Sequence, residues 1–356
     1  MKRILSIVLS LCLILSCAAI FGGCNTKTSN DWPVTIGDVT IDKEPENIVV
    51  LNDVFADVIS YIGYDIKMAG RSEECDQEFL HVVPVMGKGA APDTTAIAAA
   101  KTDLVIADKT LSADAKSAIE SNGAKVITFD VPTTSDALKS LYTDLGIALG
   151  GKTTGKEKGE KGYDELLNML STMNTATSNV VQTVAYIYTD ADGKPCTFVK
   201  GTLEYQFFNY NGNSNVFANQ TAPPINLDEL KLGSPNFIFY DNDNVLAILN
   251  ADPSLANVHA LAEGHTYQIP KKAFFRFGKS AEQAIFDMLN YIDKTTKGTP
   301  DSATRDYSVP ATIAETAAAA AAAAPAATEA PAANNAAPAA ASSQNDSDEI
   351  NFSVDG

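Results

Sequence analysis

The side chains able to act on a small molecule sit where apolar runs end. Arg71 follows Ile66–Ala69, and Arg276 stands between Phe275 and Phe277. A guanidinium just past a strand can hold a carboxylate, catecholate or hydroxamate through two parallel hydrogen bonds. Arg71 has a competing use, an ion pair with Glu73 or Glu74, and Arg276 has another, stacking on aromatic rings at a core edge. Tyr188 and Tyr205 offer faces to a flat or bulky ligand, although aromatic residues at helical spacing commonly serve a core. Carboxylates are plentiful, but none is paired at a spacing that implies acid–base work, and the sequence has no GxSxG or HExxH pattern. Binding rather than turnover is therefore expected. His81, His259 and His265 are scattered, and no CxxC or Cys/His spacing makes a zinc site. No metal held by side chains and no intrinsic cofactor is expected; iron would arrive already chelated.

The elements that must position these groups follow from periodicity. Leu138, Leu141, Tyr142, Leu145 and Leu149 mark one amphipathic helix, and Tyr163, Leu166, Leu167, Leu170 and Met173 a second. Gly150 and Gly151 break the chain between them. Gly155, Gly159 and Gly162 each cost about 1 kcal/mol in a helix, which places the start of the second helix near Lys161. On either side, short apolar strands alternate with helices, as in parallel sheets covered on both faces. The expectation is two α/β lobes with mostly parallel sheets, residues 32–135 and 177–298, joined by a long helical connector over 136–176, with a ligand cleft between them. Ligands of parallel sheets lie off the carboxyl ends of strands. That rule selects Asn52 and Asp53, Arg71 to Cys75, Gly87 and Lys88, Asp108 and Lys109, and Asp130 in the first lobe, and Tyr188, Tyr240 and Asp241 in the second.

Both ends read as non-globular. Residues 1–23 carry a basic start and a short apolar run, the pattern of an export signal. Phe21-Gly22-Gly23-Cys24 resembles the bacterial lipobox, which implies a lipid on Cys24 and an extracytoplasmic, membrane-anchored protein. A short linker, 24–31, follows it. Residues 299–356 form an Ala/Pro-rich tail with an acidic end and no apolar period, so disorder is the default. The net charge of −18 argues against nucleic acid as a partner. Cys75 and Cys196 fall one to a lobe and are expected as two separate thiols.

Several segments together carry a family likeness. Val34-Thr-Ile-Gly-Asp-Val-Thr-Ile-Asp42 with Glu44-Pro-Glu-Asn-Ile-Val-Val50, Ala69-Gly-Arg-Ser-Glu-Glu-Cys-Asp76, Val83-Pro-Val-Met-Gly87 and Lys101-Thr-Asp-Leu-Val-Ile-Ala107 lie in the first lobe. Leu227-Asp-Glu-Leu230, Pro235-Asn-Phe-Ile-Phe239 and Tyr267-Gln-Ile-Pro270 follow in the second. In this order, over Val34 to Asp293, the chain resembles the substrate-binding lipoproteins of ABC importers for iron–siderophore complexes, haem and cobalamin. The resemblance implies a monomer with a rigid interlobe helix and a shallow cleft for a metal chelate, delivered to a permease and ATPase complex. It favours a ferric siderophore over cobalamin or haem, because the methionine of some haem-binding relatives aligns near Ala90 and the single tryptophan, Trp32, precedes the core. Arg71, Lys88 and Arg276 would neutralise an anionic chelate, with Asn52, Cys75, Tyr188, Tyr205 and Tyr240 as further ligand-facing candidates; the cysteine also fits buried structure. Acidic residues that dock onto the permease fall on Asp228 or Glu229 and, because Thr95 stands where the family usually has Glu, on Asp93. Asp228 also suits the start of a helix on dipole grounds alone. The alternative reading keeps the fold without transport, as a surface-anchored receptor or interaction protein.

Overall fold

Each lobe is built on its own parallel sheet, and the apolar runs of the sequence supply the strands. The computed structural model describes residues 31–176 and 181–297, so the leader with Cys24 and the Ala/Pro-rich tail lie outside the described residues. A hairpin opens the first lobe, with β1 (Val34–Ile36) and β2 (Val39–Ile41) paired antiparallel around Gly37. Next come β3 (Ile48–Val50), β4 (Met68–Arg71), the short hairpin of β5 (Gly87–Lys88) and β6 (Ala91–Pro92), then β7 (Leu104–Asp108) and β8 (Lys125–Phe129). The main sheet has the order β4-β3-β7-β8, all parallel. Every residue of β3 is buried, as expected for a strand covered on both faces. The strand expected at Ile66–Ala69 begins two residues later, because Ile66 lies in a 3₁₀ turn and is exposed.

The second lobe contains β9 (Thr183–Thr189), β10 (Pro195–Cys196), β11 (Ser214–Asn215), β12 (Phe237–Tyr240) and β13 (Thr266–Gln268). Its order is β10-β9-β12-β13, with β11 also on β9. All pairings are parallel except β10 with β9, a hairpin that turns through Asp192 and Gly193. The helices His259–Ala262 and Lys272–Phe275 have four residues each, too few to show a period in the sequence.

The connector is a helical hairpin, not a single rod. Helix Ser135–Gly150 runs into a π-helical turn, Gly151–Gly155, and then into helix Lys156–Ala176. The second helix thus starts before Lys161, and its glycines have a packing reason. A Cβ on Gly146 would lie 2.2 Å from the Gly155 carbonyl oxygen, and one on Gly159 would lie 2.3 Å from that of Tyr142. The two helices cross backbone against backbone, a closeness that only glycine permits. One apolar core then runs from Ile48, Phe55 and Ile59 of the first lobe through Tyr142, Leu145 and Leu166 of the connector to Tyr186, Phe208 and Phe239 of the second. Well-packed cores deform little, so the lobes are held as one body. Cys75 and Cys196 are both free and buried.

Candidate ligand-binding cleft

The lobes meet across the carboxyl ends of their strands, and a single segment of the second lobe makes most of the polar bridge. After β13 the chain turns at Pro270, forms the helix Lys272–Phe275, passes Arg276, Phe277 and Gly278, and enters the long helix Lys279–Thr296. Phe277 is in the left-handed region at φ +54°, which costs a non-glycine residue roughly 1–2 kcal/mol. Its buried ring and its carbonyl, which accepts a 2.9 Å hydrogen bond from Tyr142 Oη, hold it there. That turn aims Arg276 across the gap.

Arg276 is 4% exposed. Its Nε donates to Asp53 Oδ2 at 3.0 Å, and its Nη2 donates to the Asp76 carboxylate and, at 3.3 Å, to the Glu74 carbonyl. Burial works to lower the pKa of the guanidinium, but the carboxylates of Asp76 and Asp53 outweigh it and raise it. Lys272 donates to the same Asp76 carboxylate. For Asp76 burial pulls upward, and the bonds from Lys272 and Arg276 prevail, holding its pKa below the usual carboxylate value. Asp57 is fully buried and reaches the long helix: Ser280 donates to it from N at 3.0 Å and from Oγ at 2.5 Å. It therefore caps, from the other lobe, a helix whose own Gly278 has no side chain to do so. Burial pushes Asp57 up to about 6, against the bonds from Ser280 and the charge of Arg276.

Beside this bridge lies a cavity of about 710 Å³, between the loop after β4 and the start of the long helix. Asp76, Gln77, Phe79, Lys272, Arg276 and Lys279 are among its walls. The Lys279 ammonium sits over the Phe79 ring at 4.9 Å, and Gln77 Oε1 is buried without a hydrogen-bond partner. At the second lobe's strand ends, Tyr188 is half-buried beneath the Lys271 ammonium, 5.0 Å from its ring centroid, and the exposed Phe275 stands 6.0 Å from Phe198. Cations, acids and the Phe79 ring thus line the cavity, and Lys271, Tyr188 and Phe275 add a cation and two aromatic rings at the strand ends of the second lobe.

The residues expected from the sequence divide between this cleft and other duties. Arg276 is in it, although its partners are carboxylates of the opposite lobe. Arg71 is not available: it is 8% exposed, and it donates to the carbonyls of Leu80, Val83 and Cys75 at 2.9–3.1 Å and of Ser72 at 3.4 Å. The expectation that Arg71 grips an anion, or pairs with Glu73 or Glu74, gives way to a loop clamp. Cys75 is wholly buried, its Sγ 3.4 Å from Ser72 Oγ and 3.7 Å from the Val50 carbonyl, and burial pushes its thiol up to about 11. It is core and faces no ligand. Asn52 caps the helix Asp53–Tyr61 and donates to Asp108 Oδ2 at 2.7 Å, at the expected strand ends. Lys88 is exposed on β5 beside Gly89, whose N–H donates to Glu74 at 2.9 Å. Tyr205 is half-buried against the core and donates to the Ala218 carbonyl at 2.8 Å, and Tyr240 is buried. Asp228 and Glu229 are exposed in the first turn of helix Leu227–Gly233, and the exposed Asp93 caps helix Thr94–Ala99.

Sequence reasoning missed Lys272, Asp76 and the Asp57–Ser280 cap. A signal for the first was present: residues 271–279 hold Lys271, Lys272, Arg276 and Lys279, a concentration of cations unusual in a chain of net charge −18.

Comparison with known proteins agrees with this architecture. A sequence search of curated proteins returns no match. Among solved structures, the chain is similar to a periplasmic haem-binding protein of Pseudomonas aeruginosa, at 18% identity and a TM-score of 0.52, covering 69% of this chain and 91% of that one. It is similar to the periplasmic haem-binding protein HutB of Vibrio cholerae, at 14% identity and a TM-score of 0.55, covering 69% and 98%. It is also similar to the iron-uptake ABC transporter substrate-binding protein PiuA of Streptococcus pneumoniae, at 19% identity and a TM-score of 0.51, covering 73% and 96%. These likenesses concern the fold. Residues 48–273, more than half of the sequence, match the family model described as periplasmic binding protein, and the chain belongs to that family.

Proposed function

We propose that this protein captures a metal chelate outside the cytoplasm and hands it to the permease and ATPase of an ABC importer. The observation that carries the reading is the cleft itself: two parallel-sheet lobes meet strand end to strand end, with Arg276 and Lys272 bridging them and Lys271 over the half-buried Tyr188 ring beside the exposed Phe275. Strand ends are where such sheets bind ligands, and cations beside aromatic faces suit a flat or bulky anionic chelate. A ferric siderophore is the favoured cargo, ahead of haem and cobalamin. The names of the similar structures, haem-binding and iron-uptake proteins, support the ligand class. Lipid on Cys24 would anchor the protein to the membrane, and exposed Asp228, Glu229 and Asp93 would meet basic residues of the permease.

The test is quenching of tyrosine and tryptophan fluorescence of the purified protein by ferric siderophores, haem and cobalamin in turn. Saturable quenching by one class at micromolar affinity or tighter is the expected result. A flat response to all three would overturn the proposal and leave a receptor of the same fold uncoupled from import.

A further inference from the structure

We infer that the cavity beside the interlobe bridge is a carboxylate subsite, and that Asp76 is the carboxylate occupying it in the free chain. The inference rests on the chelate-binding reading and extends it from a ligand class to a mechanism of selection. Asp76 belongs to the first lobe, yet its two oxygens are held by two cations of the second, Oδ1 by Arg276 and Oδ2 by Lys272. One carboxylate shared between a guanidinium and an ammonium is the arrangement by which proteins hold a ligand's carboxylate. Here the occupant is internal.

The layers of this bridge differ in how firmly they are held. The Arg276 side chain is 5% exposed and keeps Asp53 at 3.0 Å and the Glu74 carbonyl at 3.3 Å whatever becomes of Asp76. Asp76 and Lys272 are 44% and 48% exposed, so water already reaches both. An ion pair between exposed groups contributes little to stability. Asp76 can therefore swing into solvent while Arg276 stays in place. The vacated position opens onto the cavity of about 710 Å³, room enough for a ligand arm bearing an acid. Lys279 is the third cation on that wall, and its partner is the Phe79 ring. Glu78 and Asp287 also line the cavity and repel anions that lack a group to reach Lys272 and Arg276. The subsite thus favours chelates with a projecting carboxylate over neutral ones: a neutral ligand cannot compete with Asp76 for its cations.

Two titrations of the full chain test this. In the first, wild type, Asp76→Asn and Lys272→Gln are titrated with ferric citrate and haemin, which carry carboxylates, and with cobalamin, whose side chains are amides. Asp76→Asn removes the competitor's charge and should tighten the carboxylate-bearing probes about three- to fivefold, the range of a surface ion pair. Lys272→Gln should weaken them about tenfold, as for loss of one charged hydrogen bond; neither variant should alter cobalamin. Equal affinity of wild type and Asp76→Asn for the carboxylate probes, or binding of cobalamin alone, would overturn the subsite. In the second titration, citrate without iron is followed through the amide resonances of Lys272 and Arg276. Saturable shifts at a lower citrate concentration in Asp76→Asn than in wild type are expected. Those shifts without binding of any chelate would retain the subsite and remove the importer reading; chelate binding without them would do the reverse.

Discussion

Arg71 and Arg276 look alike in the sequence and are nearly equally buried, yet they do different work. Arg71 spends its guanidinium on backbone carbonyls of its own lobe, at Ser72, Cys75, Leu80 and Val83. Arg276 spends it on Asp53, Asp76 and Glu74 of the opposite lobe. The first stitches a loop into one rigid unit; the second ties two units at the place where a ligand would enter. A carbonyl cannot leave its backbone, whereas a carboxylate on a solvated side chain can. The partner, and not the arginine, decides which of the two can take part in binding.

This contrast is broken most severely at Arg71. Arg71→Ala leaves the carbonyls of Val83 and Cys75 without a donor, while those of Leu80 and Ser72 keep the backbone N–H groups of Val83 and Cys75; each unsatisfied group costs about 1–3 kcal/mol, reduced where water can enter. A loss of about 3–4 kcal/mol in urea unfolding is expected, while the affinity of the folded fraction for any chelate stays unchanged. A tenfold loss of affinity with intact stability would reverse the assignment. Arg276→Ala should fall below it, at about 2 kcal/mol, because Asp53 and Asp76 are partly solvated and can rehydrate. Its affinity for a carboxylate-bearing chelate should drop by about tenfold or more.

Two acids at the same seam, the buried Asp57 and the half-buried Glu282, sharpen the comparison through pH. Asp57 is pushed up to about 6 and Glu282 up to about 7, both chiefly by burial; Tyr61 bonded to Glu282 and Ser280 bonded to Asp57 oppose this. Raised carboxyl values mean that the folded chain binds more protons than the unfolded one between the ordinary and shifted values, so these groups make stability fall as pH rises. The midpoint of thermal unfolding should therefore increase as pH is lowered from 8 to about 5. Glu74, Asp76 and Asp108, whose values are lowered, act in the opposite sense, but only below the ordinary carboxylate range. Replacing both acids, as Asp57→Asn with Glu282→Gln, should flatten the profile between 5 and 8. A wild-type midpoint that rises toward pH 8 would refute the burial of these charges.

Much of this fold could be read from the chain, because its strands are continuous apolar runs and its long helices carry clear stripes. Leu138, Leu141, Tyr142 and Leu145 fall on one face in sequence and in the core. The connector's geometry was not legible in the same way. The glycines at 146, 155 and 159 lower helix propensity locally, and only the crossing of two backbones explains them. The strand-end rule selected Asn52 and Tyr188, and both stand at strand ends; Arg276 was singled out by its flanking phenylalanines and not by that rule. The rule failed for Arg71, Cys75 and Tyr240, because a position after a strand does not say whether the side chain turns outward or back onto its own loop. The pairing of Lys272 with Asp76 was invisible for a further reason: it joins residues 196 apart in the chain, through a four-residue helix with no periodic signature.

The smallest expected effect bears most directly on the contrast between the arginines. If Asp76 is an exchangeable occupant and not a structural tie, its removal must scarcely matter to folding. Asp76→Asn keeps the shape and one acceptor oxygen and removes the charge facing Lys272 and Arg276. Both Asp76 and Lys272 are nearly half exposed, and Arg276 retains Asp53, so the change in unfolding free energy should stay within about 1 kcal/mol. A urea series at pH 7, where Asp76 is ionised, measures it. A loss of 3 kcal/mol or more, the range for breaking a buried ion pair, would place Asp76 with the carbonyls around Arg71 as fixed structure, and the lobes would then be tied at this point whether or not a ligand is present.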